Sequence, residues 1–133
     1  MIVDSSALIA ILKLESDARE ILECLAFGAG PEMSAGSYLE ACIVADRSRD
    51  PRASREFDLL LRELGIEVVP VTERQATIAR EAYRNFGRGS GHPASLNFGE
   101  CFAYALAKDR SDTLLYKGDD FSHTDVRSAL AQE

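Results

Sequence analysis

Four acidic residues, far apart in this sequence, stand at the edges of apolar segments, where a carboxylate can line a site. Asp4 ends the apolar run MIVD, Glu40 lies in SYLEACIV, Glu100 opens the apolar part of LNFGECFAYALAK, and the fourth is Asp119 or Asp120, the pair that follows TLLYKG. Carboxylate oxygens are preferred ligands of Mg²⁺, and a metal held between carboxylates and a phosphate supports phosphodiester hydrolysis. If these side chains meet, the sequence predicts metal-assisted hydrolysis of phosphodiesters.

Both glutamates also match a common motif of helix starts. Ser37-x-x-Glu40 has the S-x-x-E spacing of a capping box, and Asn97-x-x-Glu100 resembles one. Taken singly, each glutamate is explained by helix capping at least as well as by chemistry. The argument for a site therefore depends on whether the acidic residues meet.

Local structure explains the remaining acidic residues to different degrees. Asp119 and Asp120 fit a turn, in which Asp is a favoured residue. Asp4 can cap the helix that follows it, but a carboxylate at the end of a buried strand is unfavourable without a partner or a metal. Ser6 is its natural hydrogen-bonding neighbour. Asp4 is therefore the acidic residue that is hardest to explain without a site.

Hydrophobic spacing divides the chain into short strands and helices. Strands are predicted at residues 1–3 and in MSAGS, IEVVPV and TLLY. Helices are predicted in SSALIAILKLE, at 17–26, around SYLEACI, in SREFDLLLRELG, in TERQATIAREAYRNFG, at 98–108 and in TDVRSALAQE. Ser5 or Ser6 is expected to cap the first helix, and Thr72 the fifth.

This order of elements predicts an α/β fold, with a parallel sheet, helices on both faces and a single domain over residues 1–133. In open parallel sheets, ligands bind beyond the carboxyl ends of the strands. Asp4 and the pair Asp119 and Asp120 follow strands, whereas Glu40 and Glu100 lie in first turns of helices that begin on the same side. We expect the four carboxylates to face one crevice, where they raise one another's pKa until a divalent cation offsets the repulsion.

The composition is that of a globular protein, with 46% hydrophobic and 28% charged residues among 133. The net charge of −7 argues against a general nucleic-acid binder. Carboxylates that bind a metal count as negative in that sum, however, and the bound ion offsets them locally. The arginines form two groups, for which solvated helix faces are the default interpretation: Arg47, Arg49, Arg52 and Arg55, and Arg74, Arg80, Arg84 and Arg88.

A few basic residues outside the acidic cluster are candidates for contact with a substrate phosphate. Arg88 lies in the flexible loop RGSGHPAS, and Lys117 precedes the last acidic pair. His92 and His123 have no second histidine at ligand spacing, so both are assigned to surface loops.

Neither a membrane segment nor a disulfide framework is indicated. No apolar run is long enough to cross a membrane, and the opening MIVDSSALIAIL lacks the basic residues of a signal peptide. Cys24, Cys42 and Cys101 show no metal or redox spacing. Small buried thiols in a reducing compartment explain them, so we expect a cytoplasmic protein.

Four segments together resemble the acidic blocks of the PIN domain, and more narrowly those of VapC toxins: MIVDSSALIAIL, SYLEACIV, LNFGECFAYALAK and LLYKGDDFSHTDV. The blocks cover essentially the whole chain, in the family's order. The resemblance implies a three-layer α/β/α sandwich with a short parallel sheet and an endoribonuclease dependent on Mg²⁺ or Mn²⁺. It also implies an RNA substrate, a homodimer and neutralisation by a cognate VapB-type antitoxin in a type II toxin–antitoxin pair.

The resemblance assigns roles by position. It makes Asp4, Glu40, Glu100 and Asp120 the catalytic residues, the metal being held by Asp4, Glu100 and Asp120. Ser6 and Asp119 are accessory, because Asp120 matches the last acidic position better than Asp119 does. The family usually has Asp at the position of Glu100, so the extra methylene implies metal binding with slower hydrolysis.

Two alternatives remain open from the residues alone. A phosphatase or phosphoacceptor domain would use Asp4 as nucleophile, but such phosphatases carry D-x-D after the first strand, whereas the residue two positions on is Ser6. A catalytically weak PIN-like interaction domain is the other alternative, because Glu100 replaces the usual Asp and every acidic residue can act as a cap.

Overall fold

The computed structural model describes residues 1–130 and contains a four-stranded, fully parallel sheet in the order β3-β2-β1-β4. The strands are β1 (Ile2–Val3), β2 (Glu32–Ser34), β3 (Glu67–Val69) and β4 (Leu114–Leu115). The helices are α1 (Ser5–Leu12), α2 (Ala18–Phe27), α3 (Ala35–Arg47), α4 (Pro51–Glu63), α5 (Glu73–Phe86) and α6 (Phe98–Arg110), followed by a 3-10 helix (Asp120–His123). None of the helices in this part of the chain is long and apolar enough to cross a bilayer.

Helices cover both faces of the sheet. Successive residues of each strand point to opposite faces, so each strand contributes side chains to both sides. Val3 and Leu115 are buried in one core with side chains of α1 to α4. Ile2 and Leu114 are buried in a second core with side chains of α5 and α6. The predicted three-layer α/β/α architecture is confirmed.

Short polar side chains begin most of the helices, as the sequence predicts. Thr72 caps α5 through a bond from the Gln75 N–H, which confirms its predicted role. The prediction that Ser5 or Ser6 caps α1 is wrong. Asp4 is the cap, and its carboxylate accepts from the Ser6 N–H. The strand thus delivers an acidic residue directly to the first helix.

The C-terminal segment departs from the predicted helix in its described part. Leu114 donates its N–H to the Arg127 carbonyl at 2.8 Å, and Ala129 donates to the Leu114 carbonyl at 2.8 Å. The segment therefore pairs with the open edge of β4, because an edge strand has unpaired backbone groups that tertiary contacts can satisfy. Residues 131–133 lie outside the described residues, and the single domain over 1–133 stays a prediction.

Candidate active site

Asp4 lies at the carboxyl end of a central strand and is almost completely buried. Its side chain is 2% exposed, and its N–H donates to the Leu115 carbonyl at 2.9 Å. Burial raises the pKa of Asp4 to about 6, against hydrogen bonds from Ser6 that lower it, and the charge of Glu40 raises it further. Oδ2 accepts the Ser6 N–H at 3.0 Å, whereas Oδ1 is buried without a hydrogen-bond partner among residues 1–130. A buried carboxylate oxygen left unpaired is costly, so Asp4 is suited to an additional ligand.

Glu100 occupies the third position of α6 and forms the predicted capping box. The Asn97 N–H donates to Glu100 Oε1 at 2.9 Å, and the Glu100 N–H donates to Asn97 Oδ1 at 2.8 Å. Burial raises the pKa of Glu100 to about 7, and the neighbouring carboxyls of Asp120 and Asp4 raise it too, whereas the Asn97 N–H lowers it. Glu100 is therefore a helix cap and, at the same time, a close neighbour of two other candidate carboxylates.

Asp120 begins the 3-10 helix that follows β4. The next residue, Phe121, is buried and packs its ring 5.1 Å from that of Tyr116. This packing anchors the turn, and the charge of the exposed Asp120 raises the pKa of Glu100. Asp119 is also exposed, and its carbonyl accepts from Ser122. The choice of Asp120 over Asp119 as the fourth acidic position stays a prediction.

Glu40 is not part of a capping box. Ser34, not Ser37, caps α3, and Glu40 falls in the second turn of that helix. Glu40 Oε1 accepts the Ser5 hydroxyl at 2.7 Å. On the other side its carboxylate lies against Gly99, where an added Cβ would come within 2.2 Å of Oε2. Glu40 is thus held at the start of α6, beside Asp4.

Electrostatic interactions connect the four predicted residues in pairs: Glu40 raises the pKa of Asp4, and Asp4 and Asp120 raise that of Glu100. Within residues 1–130, however, no three Asp, Glu, His or Cys side chains are already arranged to hold one ion. Like charges repel unless a cation lies between them, so a relaxed spacing is the physical expectation for the carboxylates alone. Their use as one metal site stays a prediction.

The side chains present fit a hard divalent cation. All the candidate ligands are carboxylate oxygens, and Oδ1 of Asp4 is the buried, unpaired one. Cys101 follows Glu100, and burial raises the pKa of its thiol to about 11, so the thiol is protonated in the metal-free chain. Oxygen donors without thiolate favour Mg²⁺ or Mn²⁺ over Zn²⁺.

The accessory residue Ser6 and the predicted phosphate contact Lys117 differ in outcome. Ser6 lies in the site, where its hydroxyl accepts the Lys117 N–H at 3.0 Å. The Lys117 ammonium, however, is bonded to Glu15 and lies 3.3 Å from Asp17. Lys117 therefore supports the site through its backbone, and its contact with RNA stays a prediction for an ammonium that already has partners.

Arg88 lies on the rim of an open groove next to the crevice. The groove has a volume of about 630 Å³ and is shared by α3, α5 and the start of α6. Among residues 1–130, the exposed guanidinium of Arg88 has no ion-pair partner. In the same loop, His92 Nδ1 accepts the Ala94 N–H at 3.1 Å and its ring packs edge-on against Phe86. Arg88 is thus free to bind a ligand, whereas His92 organises the loop.

Sequence reasoning missed Ser5 and Gly99, the two residues in contact with the Glu40 carboxylate. Ser5 was considered only as a cap, and Gly99 was not considered at all. A signal for Gly99 was available, because a glycine inside the first turn of a helix is unfavourable unless something must approach closely.

Several known proteins are similar to this chain in sequence and fold. The family model described as PIN domain matches residues 1–127. The ribonuclease VapC28 of Mycobacterium tuberculosis is 58% identical over 130 residues, which cover 98% of each chain. The toxin–antitoxin complex from Klebsiella pneumoniae shares the fold with a TM-score of 0.72 at 15% identity, covering 96% of each chain. VapC20 of Mycobacterium tuberculosis, a toxin that cleaves the sarcin–ricin loop, has a TM-score of 0.73 at 16% identity, covering 94% of this chain and 95% of its own.

Proposed function

The chain belongs to the PIN-domain family, among its VapC ribonucleases, and from this premise we propose that it is a Mg²⁺- or Mn²⁺-dependent endoribonuclease acting as the toxin of a type II toxin–antitoxin pair. One observation carries the metal dependence. Asp4 is buried at a strand end with an unpaired oxygen, and the carboxyls of Asp4 and Asp120 both raise the pKa of Glu100. A divalent cation would give the unpaired oxygen a partner and would offset the repulsion between the carboxylates.

In this proposal Asp4, Glu100 and Asp120 hold the metal, which supplies activation of a water and stabilisation of the leaving oxygen. Glu40 is not a metal ligand. Its carboxylate, bonded to Ser5, accepts the proton of the water that attacks the phosphate. Ser6 keeps Asp4 oriented by its N–H, and its hydroxyl is held by Lys117. Asp119 extends the acidic rim beside Asp120.

The RNA backbone reaches this crevice past Arg88. The net charge of −7 disfavours broad electrostatic binding of RNA, so a few placed cations must supply the contacts. Arg88 is exposed, unpaired within residues 1–130, and lines the groove that also contains Glu40 and Gly99. Binding energy is therefore concentrated near the scissile phosphate.

A VapB-type antitoxin is the proposed partner, which the toxin–antitoxin complex among the structural neighbours supports. A shallow apolar groove of about 330 Å³ is lined by Ile11, Ala18 and Leu22, and by Leu14, which is 84% exposed. An apolar helix of the antitoxin fits such a groove. A basic side chain elsewhere on the antitoxin would compete with metal and RNA phosphate for the carboxylates.

A homodimer is the second proposed assembly. Three large apolar side chains project from the groove beside the crevice, with exposures of 59% for Leu39, 46% for Ile43 and 76% for Phe98. Contiguous exposed apolar surface of this kind marks protein interfaces. Pairing of two copies through these three side chains would bury them and place the two crevices next to each other, while Arg88, on the rim of the groove, would stay exposed to RNA.

Cleavage of total RNA by the purified protein, with and without Mg²⁺ or Mn²⁺, tests the enzyme. Metal-dependent fragments that are lost in Asp4→Asn are expected. Melting temperatures provide a second measurement, because a metal that binds only the folded state stabilises it. RNA left intact, together with no melting shift at millimolar metal, would favour the interaction-domain alternative, whereas a covalent phosphoryl group trapped on Asp4 would favour the phosphatase.

Co-expression with the product of the gene immediately upstream tests the assembly. We expect that product to co-purify and to relieve growth inhibition, and light scattering of the protein alone to give a dimer. Failure to co-purify, persistent growth inhibition and a monomeric mass would together reject the toxin role, even with nuclease activity intact.

A further inference from the structure

We propose that Ser5 and Gly99 are positioning residues that hold the Glu40 carboxylate in its working orientation, from opposite sides. This inference rests on the proposed function, in which Glu40 accepts the proton of the attacking water. Neither residue belongs to the acidic set, and neither would touch the substrate for this role. Each acts through Glu40 alone.

Ser5 supplies the attractive half of the arrangement. It is the first residue of α1, directly after Asp4, and is 8% exposed. Its hydroxyl donates to Glu40 Oε1 at 2.7 Å, across 35 positions of sequence. A hydrogen bond to an ionised acceptor is short and strong, so it selects one side-chain conformation of Glu40. Because Asp4 and Ser5 are consecutive, Glu40 is placed relative to Asp4 with little freedom.

Gly99 supplies the space on the other side. A Cβ on Gly99 would lie 2.2 Å from Oε2, 2.6 Å from Cδ and 2.7 Å from Oε1 of Glu40. These distances are below any real van der Waals contact, and they involve the whole carboxylate, which Ser5 already holds. The carboxylate therefore rests on the bare backbone of the first turn of α6, where the helix dipole favours negative charge. Any side chain at position 99 must expel Glu40 or shift α6.

Substitutions of Ser5 and of Gly99 should therefore affect the Glu40 carboxylate in different ways. Ser5→Ala leaves the space but removes the bond, so Glu40 becomes mobile. Gly99→Ala leaves the bond donor but removes the space, so Glu40 is displaced. Misplacement of a catalytic group by about 1 Å can lower a rate by roughly 100-fold. We expect kcat for RNA cleavage to fall about 10- to 100-fold in each variant, with KM little changed.

The closing experiment measures kcat and KM for Ser5→Ala, Ser5→Thr and Gly99→Ala in the wild-type and Glu40→Ala backgrounds. Ser5→Thr keeps the hydroxyl and should restore most of the rate. In the Glu40→Ala background, Ser5→Ala and Gly99→Ala should lower the rate no further. Ser54→Ala is the matched control, since it removes a 2.7 Å serine–carboxylate bond to Asp46 on the surface, away from the crevice. Equal losses in both backgrounds would overturn the proposal.

Crystal structures of Ser5→Ala and Gly99→Ala give a measurement that needs no activity. The Glu40 side chain should occupy several conformers in the first and a displaced conformer in the second. Metal-dependent melting shifts should match the wild type in both, because Glu40 is not a proposed ligand. If the wild-type protein cleaves no RNA, the proposed function fails, but the two crystal structures still test whether Ser5 and Gly99 position Glu40. If Glu40 is unmoved in both variants, the positioning role of Ser5 and Gly99 is rejected.

Discussion

The main-chain N–H of Lys117 donates a 3.0 Å hydrogen bond to the hydroxyl of Ser6, which lies 111 positions earlier in the chain. The ammonium group of the same lysine is bonded to Glu15 and lies 3.3 Å from Asp17. Lys117 thus connects the segment after β4 to the start of α1 and to the turn that follows α1. Asp120 begins the 3-10 helix three residues later. The connection through Lys117 therefore holds the Asp120 segment in place relative to α1.

Replacing the Lys117 side chain tests how much of this connection depends on its charge. In Lys117→Met the backbone bond to Ser6 can remain, but Glu15 and Asp17 lose their common partner. We expect a lower melting temperature and a weaker metal-dependent melting shift, since the Asp120 segment is held less firmly. Lys13→Met, at an exposed position that ends α1, is the matched control. A change in KM for RNA with unaltered stability would instead show that Lys117 contacts the substrate.

The burial of Asp4 predicts an unusual dependence of the free energy of unfolding on pH in metal-free buffer. Burial raises its pKa from 3.8 to about 6, so the folded chain binds this proton more tightly than the unfolded chain does. Its contribution to stability is therefore most favourable below pH 4 and is lost as pH rises to about 6. Asp4→Asn removes that loss and retains a good helix cap, so the variant should be more stable than wild type at pH 8, by up to roughly 3 kcal/mol.

The measurement is the difference in melting temperature between Asp4→Asn and wild type across pH 4 to 8, with EDTA present. The difference should be small near pH 4, grow through pH 6 and then level off. Asp46→Asn, which changes an exposed aspartate of α3, is the control for general charge effects. A difference that does not vary with pH would show that Asp4 is not buried as an unfavourable charge.

Glu100→Asp separates helix capping from metal binding. The shorter side chain draws the carboxylate away from the Asn97 N–H, which Glu100 now accepts at 2.9 Å. Loss of this half of the capping box should lower stability by about 0.5–1 kcal/mol. In the proposed mechanism the released carboxylate is free to face the metal, so kcat should rise. Glu73→Asp, in the first turn of α5, gives the same shortening outside the crevice. A lower kcat would show that this chain has adapted to glutamate.

Arg88→Ala tests the proposed path of the RNA backbone. Removing one phosphate contact should raise KM several-fold with kcat nearly unchanged, and should reduce the slope of log affinity against log salt by about one. Arg62→Ala, an exposed arginine in the last turn of α4, should change neither quantity. Equal effects of the two substitutions would indicate a general charge effect and no specific contact.

Local chemistry in the sequence was sufficient to predict most of the helices and strands. Thr72 and Asn97 predicted helix starts because their side chains accept a backbone N–H two or three residues on, an interaction that needs no distant partner. The strand order was not accessible in this way, nor was the C-terminal segment, which pairs with β4 through the backbone of Leu114. Pairing across a sheet is made by backbone hydrogen bonds, which place little constraint on the side chains at the paired positions.

The sequence by itself determined that Asp4 follows a buried strand and that Glu100 opens an apolar helix, because apolar periodicity and capping residues are properties of neighbouring positions. Only the tertiary structure decided what these residues meet. It placed Ser5 and Gly99 around Glu40, ruled out the capping box at Ser37, and gave the Lys117 ammonium two acidic partners. The physical reason is that burial, which sets the pKa of Asp4, and contact, which orients Glu40, arise between segments that are distant in sequence and adjacent only after folding.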